Sequence, residues 1–258
     1  MSKLGTDPYK GVKDLYPEDM AIQNYIFNTW RKVAEKFGYV EYGASILEPT
    51  EIYSEKSGLE IINEQTFTFN DRGDRSVTLR PEMTPTLARM IAVRRKSLKF
   101  PLRWYSIPNL FRYERPQRGR RREHWQLNCD LLGITGIEGD KEIISLAYAV
   151  MKEFGAKDKD FEVRINNANI DDFKGIGPNF VFDKSLARGQ TYYTGMVFEI
   201  FDTDKTNTRA IAGGGRYDNL LEMFDVASVP AVGFGMGDIT LQDFLETHKL
   251  GPYASRTK

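Results

Sequence analysis

The spacing of hydrophobic and polar positions changes several times along this chain, and each change marks an element. Ile22, Tyr25, Ile26, Trp30, Val33 and Phe37 recur at helical spacing, and Gly38 follows as a stop. Residues 39–49 then read as a strand closed by Pro49. Residues 66–80 alternate on both sides of Asp71-Arg72-Gly73-Asp74, which predicts a hairpin. Thr84 is placed to cap a helix that has Pro85 at its first position and runs to about residue 96. Residues 111–132 predict a second hairpin, with a turn at Pro116 to Gly119. Past that turn His124, Gln126, Asn128 and Asp130 share one face, while Trp125, Leu127, Cys129 and Leu131 share the other. Before it, Arg112 and Glu114 lie opposite Phe111 and Tyr113 in parity. An amphipathic helix follows over 139–154, then a short strand at 161–167 and a loop-like stretch over 167–184. The glycine run Gly213 to Gly215, a buried glycine-studded strand at 229–237 and a helix over 238–250 complete the pattern. Antiparallel hairpins mixed with separate helices predict an α+β fold, a mainly antiparallel sheet flanked by helices, in one domain over 1–258.

Composition narrows the function classes. Lys plus Arg and Asp plus Glu are equal at 36 each, so any preference for a charged partner must come from local patches. The one cysteine, Cys129, excludes an intramolecular disulfide, and its apolar parity makes it a core residue. With only two histidines, a Cys/His zinc site is not expected, and no metal site is expected from protein side chains alone. No apolar run nears 18 residues and no signal-peptide pattern opens the chain, so the expectation is a soluble, cytoplasmic protein without a membrane partner.

The candidate chemistry lies in the second hairpin. Six arginines fall between residues 112 and 122, and the polar strand face continues beyond them. Guanidinium groups suit phosphates because they offer paired donors and keep their charge. Fixed amides and carboxylates beside them suit a small polar ligand, so this face looks able to hold a nucleotide and a second molecule together. A basic turn facing water is the competing reading. Glu82 sits at a strand-to-helix junction, where site residues are often presented.

With these pieces laid out, the chain resembles the catalytic domain of the histidyl-tRNA synthetase family, a class II aminoacyl-tRNA synthetase. Residues 22–49 look like class II motif 1, the dimer interface of that family. FRYERPQRGRRREHWQLNCDLLG is similar to motif 2, with Phe111-Arg112-Tyr113-Glu114 as its core. LARGQTYYTGMVFE and AGGGRYDNLL resemble the two histidine signatures, and VPAVGFGMG the start of motif 3. The resemblance implies that histidine and ATP form histidyl-adenylate with Mg2+, and that the histidyl group passes to the acceptor stem of a histidine tRNA. It implies ATP contacts from Arg112 and Arg188 at the α-phosphate, Glu114 at the adenine amino group, Arg120 at the outer phosphates and His124 beneath the base. It implies histidine contacts from Glu82, Thr84, Gln126 and Asp130, with Tyr193 and Tyr217 on the imidazole, and a homodimer built through residues 22–49.

Three departures qualify the resemblance. Motif 3 of the class ends in an arginine that stacks on adenine, and here Thr240 stands in its place, removing a cation–π partner. The first signature reads Gly189-Gln190-Thr191-Tyr192-Tyr193, without the family's acidic residue. The family's helical insertion and C-terminal anticodon-binding domain have no counterpart in 258 residues, which implies a weakened tRNA step. The alternative is a non-catalytic, histidine-binding regulatory paralogue, such as the regulatory subunit of an ATP phosphoribosyltransferase. A third reading passes the activated amino acid to an acceptor other than tRNA.

Overall fold

The structure, a computed structural model, describes residues 4–54, 65–186 and 192–254. In chain order its elements are α1 (Pro17–Lys36), β1 (Val40–Glu41), β2 (Leu47–Pro49), α2 (Glu51–Ser54), β3 (Phe67–Asn70), β4 (Ser76–Leu79) and α3 (Thr84–Arg94). Then come β5 (Leu102–Ser106), β6 (Asn109–Phe111), β7 (Glu123–Leu132), α4 (Ile137–Glu153), β8 (Phe161–Asn166) and β9 (Phe180–Phe182). The last are β10 (Val197–Asp202), β11 (Ala212–Arg216), β12 (Ala231–Gly237) and α5 (Asp238–Thr247).

The large sheet runs β1-β5-β7-β12-β11-β10-β8-β9, with β6 continuing the pairing to the outer half of β7. It is antiparallel except for β1 beside β5 and β9 beside β8. A small sheet, β2-β4-β3, stands apart from it. The α+β architecture read from the chain is the one observed.

The period-two pattern of β7 explains how the sheet divides its two faces. Leu127, Cys129 and Leu131 are fully buried, and they join Ile26, Trp30 and Val33 of α1 and Ile143, Ala147 and Val150 of α4 in the main core. Val232, Phe234 and Met236 of β12 and Phe244 of α5 belong to the same cluster. On the other face, Leu87, Ala88 and Ile91 of α3 pack with Tyr217, Leu220 and Ala231 in a second cluster. Between that cluster and the 112–122 connection, the face carries polar groups instead of packing.

Several boundaries differ from the sequence reading. Residues 39–49 form two short strands in two different sheets, because the chain leaves the large sheet at Tyr42 and turns through Gly43-Ala44-Ser45. The ladder of the second hairpin ends at Phe111, and residues 112–122 form a folded connection in place of a longer strand. Thr84 lies inside α3, and Met83 is the residue that precedes it with no side-chain cap. Within 167–184 the chain makes a 3-10 turn at Ile170–Phe173 and the strand β9. Gly38 does terminate the first helix, with φ +81.

Candidate active site

The floor of the site follows from strand register. Asp130, Asn128 and Gln126 of β7 stand opposite Gly233, Gly235 and Gly237 of β12, and Gly235 and Gly233 stand opposite Gly213 and Gly215 of β11. Polar side chains on one strand therefore lean over a glycine track on the next two. The glycines leave no spare space. A Cβ on Gly233 would lie 2.5 Å from both the Asp130 carboxylate and the Tyr217 hydroxyl, and one on Gly235 would lie 2.6 Å from the Gln126 amide.

Two adjoining cavities open above this floor. The smaller is lined by Glu82, Thr84, Arg112, Gln126, Asn128, Asp130, Tyr192, Tyr193, Tyr217 and the glycines. All six residues expected to hold an amino acid are therefore gathered at one place. The larger, about 370 Å³, is lined by Arg112, Glu114, Arg120, Arg121, His124, Gln126, Glu199, Arg209 and Thr240 among others. Arg112, Gln126, Gly213 and Gly235 line both, so they mark the junction. Of the expected nucleotide residues, Arg112, Glu114, Arg120 and His124 are all here, while Arg188 lies outside the described residues.

Each group is held by identifiable partners. Arg112 donates its Nε–H to the Pro81 carbonyl at 2.9 Å, which ties the hairpin to the strand-to-helix junction carrying Glu82. The Tyr192 hydroxyl donates to Glu82 Oε2 at 3.0 Å. The Tyr217 hydroxyl donates to Asp130 Oδ1. Burial pushes the Asp130 carboxyl up to about 7, against the pull of that hydrogen bond, and burial also raises the Tyr217 phenol. His124 is pushed down to about 3, first by burial and then by the cationic Arg112 and Arg120, so its ring is neutral at physiological pH. Arg120 is paired with Glu114, so two groups expected on different parts of a nucleotide meet each other here.

The arginine-rich connection is more than a solvated basic run, although Arg115 and Arg118 are exposed. Arg122 is buried, donates to the Glu114 carbonyl at 3.1 Å and stacks 3.8 Å over the Tyr113 ring. Arg118 donates twice to Asn207 Oδ1, at 3.1 and 2.9 Å, which anchors the turn to the segment after β10. Arg216 is a structural ion-pair donor: it bonds Asp140 at 2.9 and 2.5 Å on the far side of the glycine track. Cys129 is a buried core thiol, raised well above its ordinary value by burial.

Several lining residues were given no role in the site from the sequence. Tyr192 braces Glu82, and Asn128 continues the polar parity of β7 that was visible in the pattern. Glu199 reaches the cavity from β10 and Arg209 from the residues before β11, and neither has a local signal in the chain. Among the described residues no helix is long and apolar enough to cross a membrane.

Comparison with known proteins assigns the chain. The family described as Histidyl-tRNA synthetase matches residues 11–173 and 167–238. The chain belongs to the histidyl-tRNA synthetase family. It is 37% identical over 339 aligned residues to a histidine–tRNA ligase of Leptospira biflexa, covering 99% of this chain and 78% of that one. Among solved structures, apo histidyl-tRNA synthetase of S. aureus superposes with a TM-score of 0.80 at 26% identity, over 97% of this chain and 72% of that one. A protein of Bacillus halodurans described as an ATP phosphoribosyltransferase regulatory subunit/histidyl-tRNA synthetase shares the fold, with a TM-score of 0.79 at 22% identity over 94% and 84% of the two chains. Synthetases and a protein also described as a regulatory subunit thus share this architecture, so the reading of activity rests on the two cavities.

Proposed function

We propose that this chain activates histidine with ATP to histidyl-adenylate and passes the histidyl group to a histidine tRNA. The observation that carries the proposal is the junction. A polar cavity with two buried carboxylates, Glu82 and Asp130, opens through Arg112 into a larger cavity bordered by arginines. The carboxylates suit an α-ammonium, and the Tyr193 and Tyr217 phenols suit imidazole nitrogens. Arg112, lying where the cavities meet, suits the phosphorus between the two substrates.

In this reading a carboxylate oxygen of histidine attacks the α-phosphorus of ATP. The P–O bond to pyrophosphate breaks, its electron pair leaves with pyrophosphate, and a mixed anhydride forms. In the second step a ribose hydroxyl of the tRNA attacks the anhydride carbonyl, and AMP departs. The protein aligns the reactants and stabilises charge at phosphorus. Arg112, held rigid by the Pro81 carbonyl, does this at the junction, and Arg188 is read as its companion from the first signature. Glu114 exchanges Arg120 for the adenine amino group, freeing Arg120 for the outer phosphates, and neutral His124 stacks on the base. Mg2+ is read as arriving with the nucleotide, and Glu199, which borders the same cavity, would be placed to help hold it. When bound, the ion neutralises phosphate charge. Exposed Val40 and Leu47 support a homodimer through residues 22–49.

The test is histidine-dependent ATP–pyrophosphate exchange with Mg2+, set beside Arg112→Ala. Exchange that needs histidine and collapses in the variant supports adenylation. Histidine binding by calorimetry without exchange refutes it and favours a regulatory, histidine-sensing role.

A further inference from the structure

Arg209 occupies an unusual place in the larger cavity. It comes from the residues just before β11, and its side chain crosses to the turn of the second hairpin. A Cβ on Gly119 would lie 3.0 Å from Arg209 Cδ and 3.4 Å from the Thr240 methyl, so the three residues meet at one corner. Gly119 has φ +71, and a side chain there would meet both strain and the Arg209 stem. Among the described residues the Arg209 guanidinium makes no hydrogen bond or ion pair, although it borders the cavity. Burial and the nearby positive Arg120 both disfavour its charge, and Glu114 favours it. A half-buried guanidinium without a partner is a group prepared for one.

Two parts of a nucleotide could supply that partner, and position decides between them. Arg112 marks the end of the larger cavity that faces the smaller one, so the reacting phosphorus belongs there. Arg209, Thr240 and His124 line the larger cavity and not the smaller, away from that junction, and Arg209 and Thr240 also border a small pocket beside Arg118 and Asn207. The anion near Arg209 is Glu114, whose carboxylate repels phosphate oxygens and accepts from an exocyclic amino group. A weakly hydrated planar cation beside such an acceptor suits the π-face of a purine.

We propose that Arg209 is the cation that covers the nucleobase, facing His124 across it, and that the small side chain of Thr240 leaves the corner open for it. The proposal rests on the nucleotide reading of the larger cavity. It makes Arg209 a binding residue supplied by the β10–β11 connection, with Gly119 required because the arginine stem runs past it. Position 240 and position 209 are then alternatives for one place: a long side chain at 240 would compete with Arg209 for the corner.

The experiment measures ATP and tripolyphosphate affinity by calorimetry in the unaltered protein, in Arg209→Met, which keeps the stem and removes the planar charge, and in Arg112→Ala. The expected result is about a tenfold loss of ATP affinity in Arg209→Met, with tripolyphosphate and histidine affinities unchanged. Arg112→Ala should weaken both phosphate ligands. Adding Thr240→Arg to Arg209→Met should recover ATP affinity. An unchanged ATP affinity in Arg209→Met overturns the proposal, and so does an equal loss for tripolyphosphate, which would place Arg209 on the phosphates. Failure of the unaltered protein to bind ATP refutes the underlying nucleotide reading instead, and a melting temperature matching the unaltered protein excludes misfolding of the variant.

Discussion

Tyr217→Phe probes the floor of the smaller cavity with one atom. The substitution keeps a ring that is 3% exposed and deletes the hydroxyl that donates to Asp130 Oδ1. That hydrogen bond is the influence holding Asp130 down, and with it in place the carboxyl stands at about 7. A hydrogen bond to a charged group contributes about 1.5–3 kcal/mol. At 1.36 kcal/mol per pKa unit, its loss raises Asp130 by about 1–2 units. Only ionised Asp130 attracts an α-ammonium. Histidine affinity in the unaltered protein should therefore rise about tenfold between about pH 6 and about pH 8. In Tyr217→Phe the midpoint of the rise should move upward by about 1–2 units, on top of a pH-independent loss from the missing contact to the imidazole. Calorimetric titration of both proteins with histidine across that range is the assay. The imidazole of the ligand titrates identically in both experiments, so the displacement reports the protein. Coincident midpoints, or an equal loss at every pH, would refute the assignment of Asp130 to the ammonium.

Three further outcomes follow from the same geometry. Asp130 titrates in the folded state above its ordinary 3.8, so the folded protein holds an extra proton between these values; unliganded stability should fall as pH rises from about 4 to about 7. Asp238, pushed up to about 6 by burial, acts in the same direction, so Asp130→Asn should flatten only part of that slope in thermal melts, and an unchanged slope would count against the assignment. Gly235→Ala would set a methyl 2.6 Å from the Gln126 amide, costing about 1–3 kcal/mol and weakening histidine binding; a variant with native melting and native affinity would show that the track has room. Asp140→Ala leaves the buried Arg216 guanidinium without its main counter-charge and should cost about 3–5 kcal/mol in urea unfolding, while a loss below about 1 kcal/mol would mean that the Ile134 and Gly136 carbonyls suffice.

Much of the fold was legible because it rests on local periodicity. Strand β7 showed both of its faces in the sequence, and the buried run Leu127, Cys129, Leu131 is the apolar parity of that pattern. The first helix, expected from Ile22 to Phe37 and observed over Pro17–Lys36, and the hairpin of β3 and β4 were legible for the same reason, since spacing and turn residues act over a few positions. The expected strand over 39–49 broke in two because its halves pair with different partners, β5 and β4, which no local pattern records. The cap at Thr84 failed in a similar way: the turn through Pro81 and Glu82 is held by Arg112 from the connection after β6, and the helix begins one residue early.

The sequence by itself determined which side chains share the polar face of β7, that an arginine-rich turn follows the phenylalanine of the motif 2 core, and to which family the chain is similar. These depend on residue type and short-range spacing, which the chain carries in one dimension. Tertiary structure decided what those groups meet. Register between β7 and β12 set Asp130 over Gly233, long-range contacts made Tyr192 the partner of Glu82 and Tyr217 that of Asp130, and Arg122 was turned inward as a structural post. The same folding brought Arg209 beside Gly119 and Thr240, residues distant in sequence whose proximity arises only when β11, α5 and the hairpin turn close around one cavity.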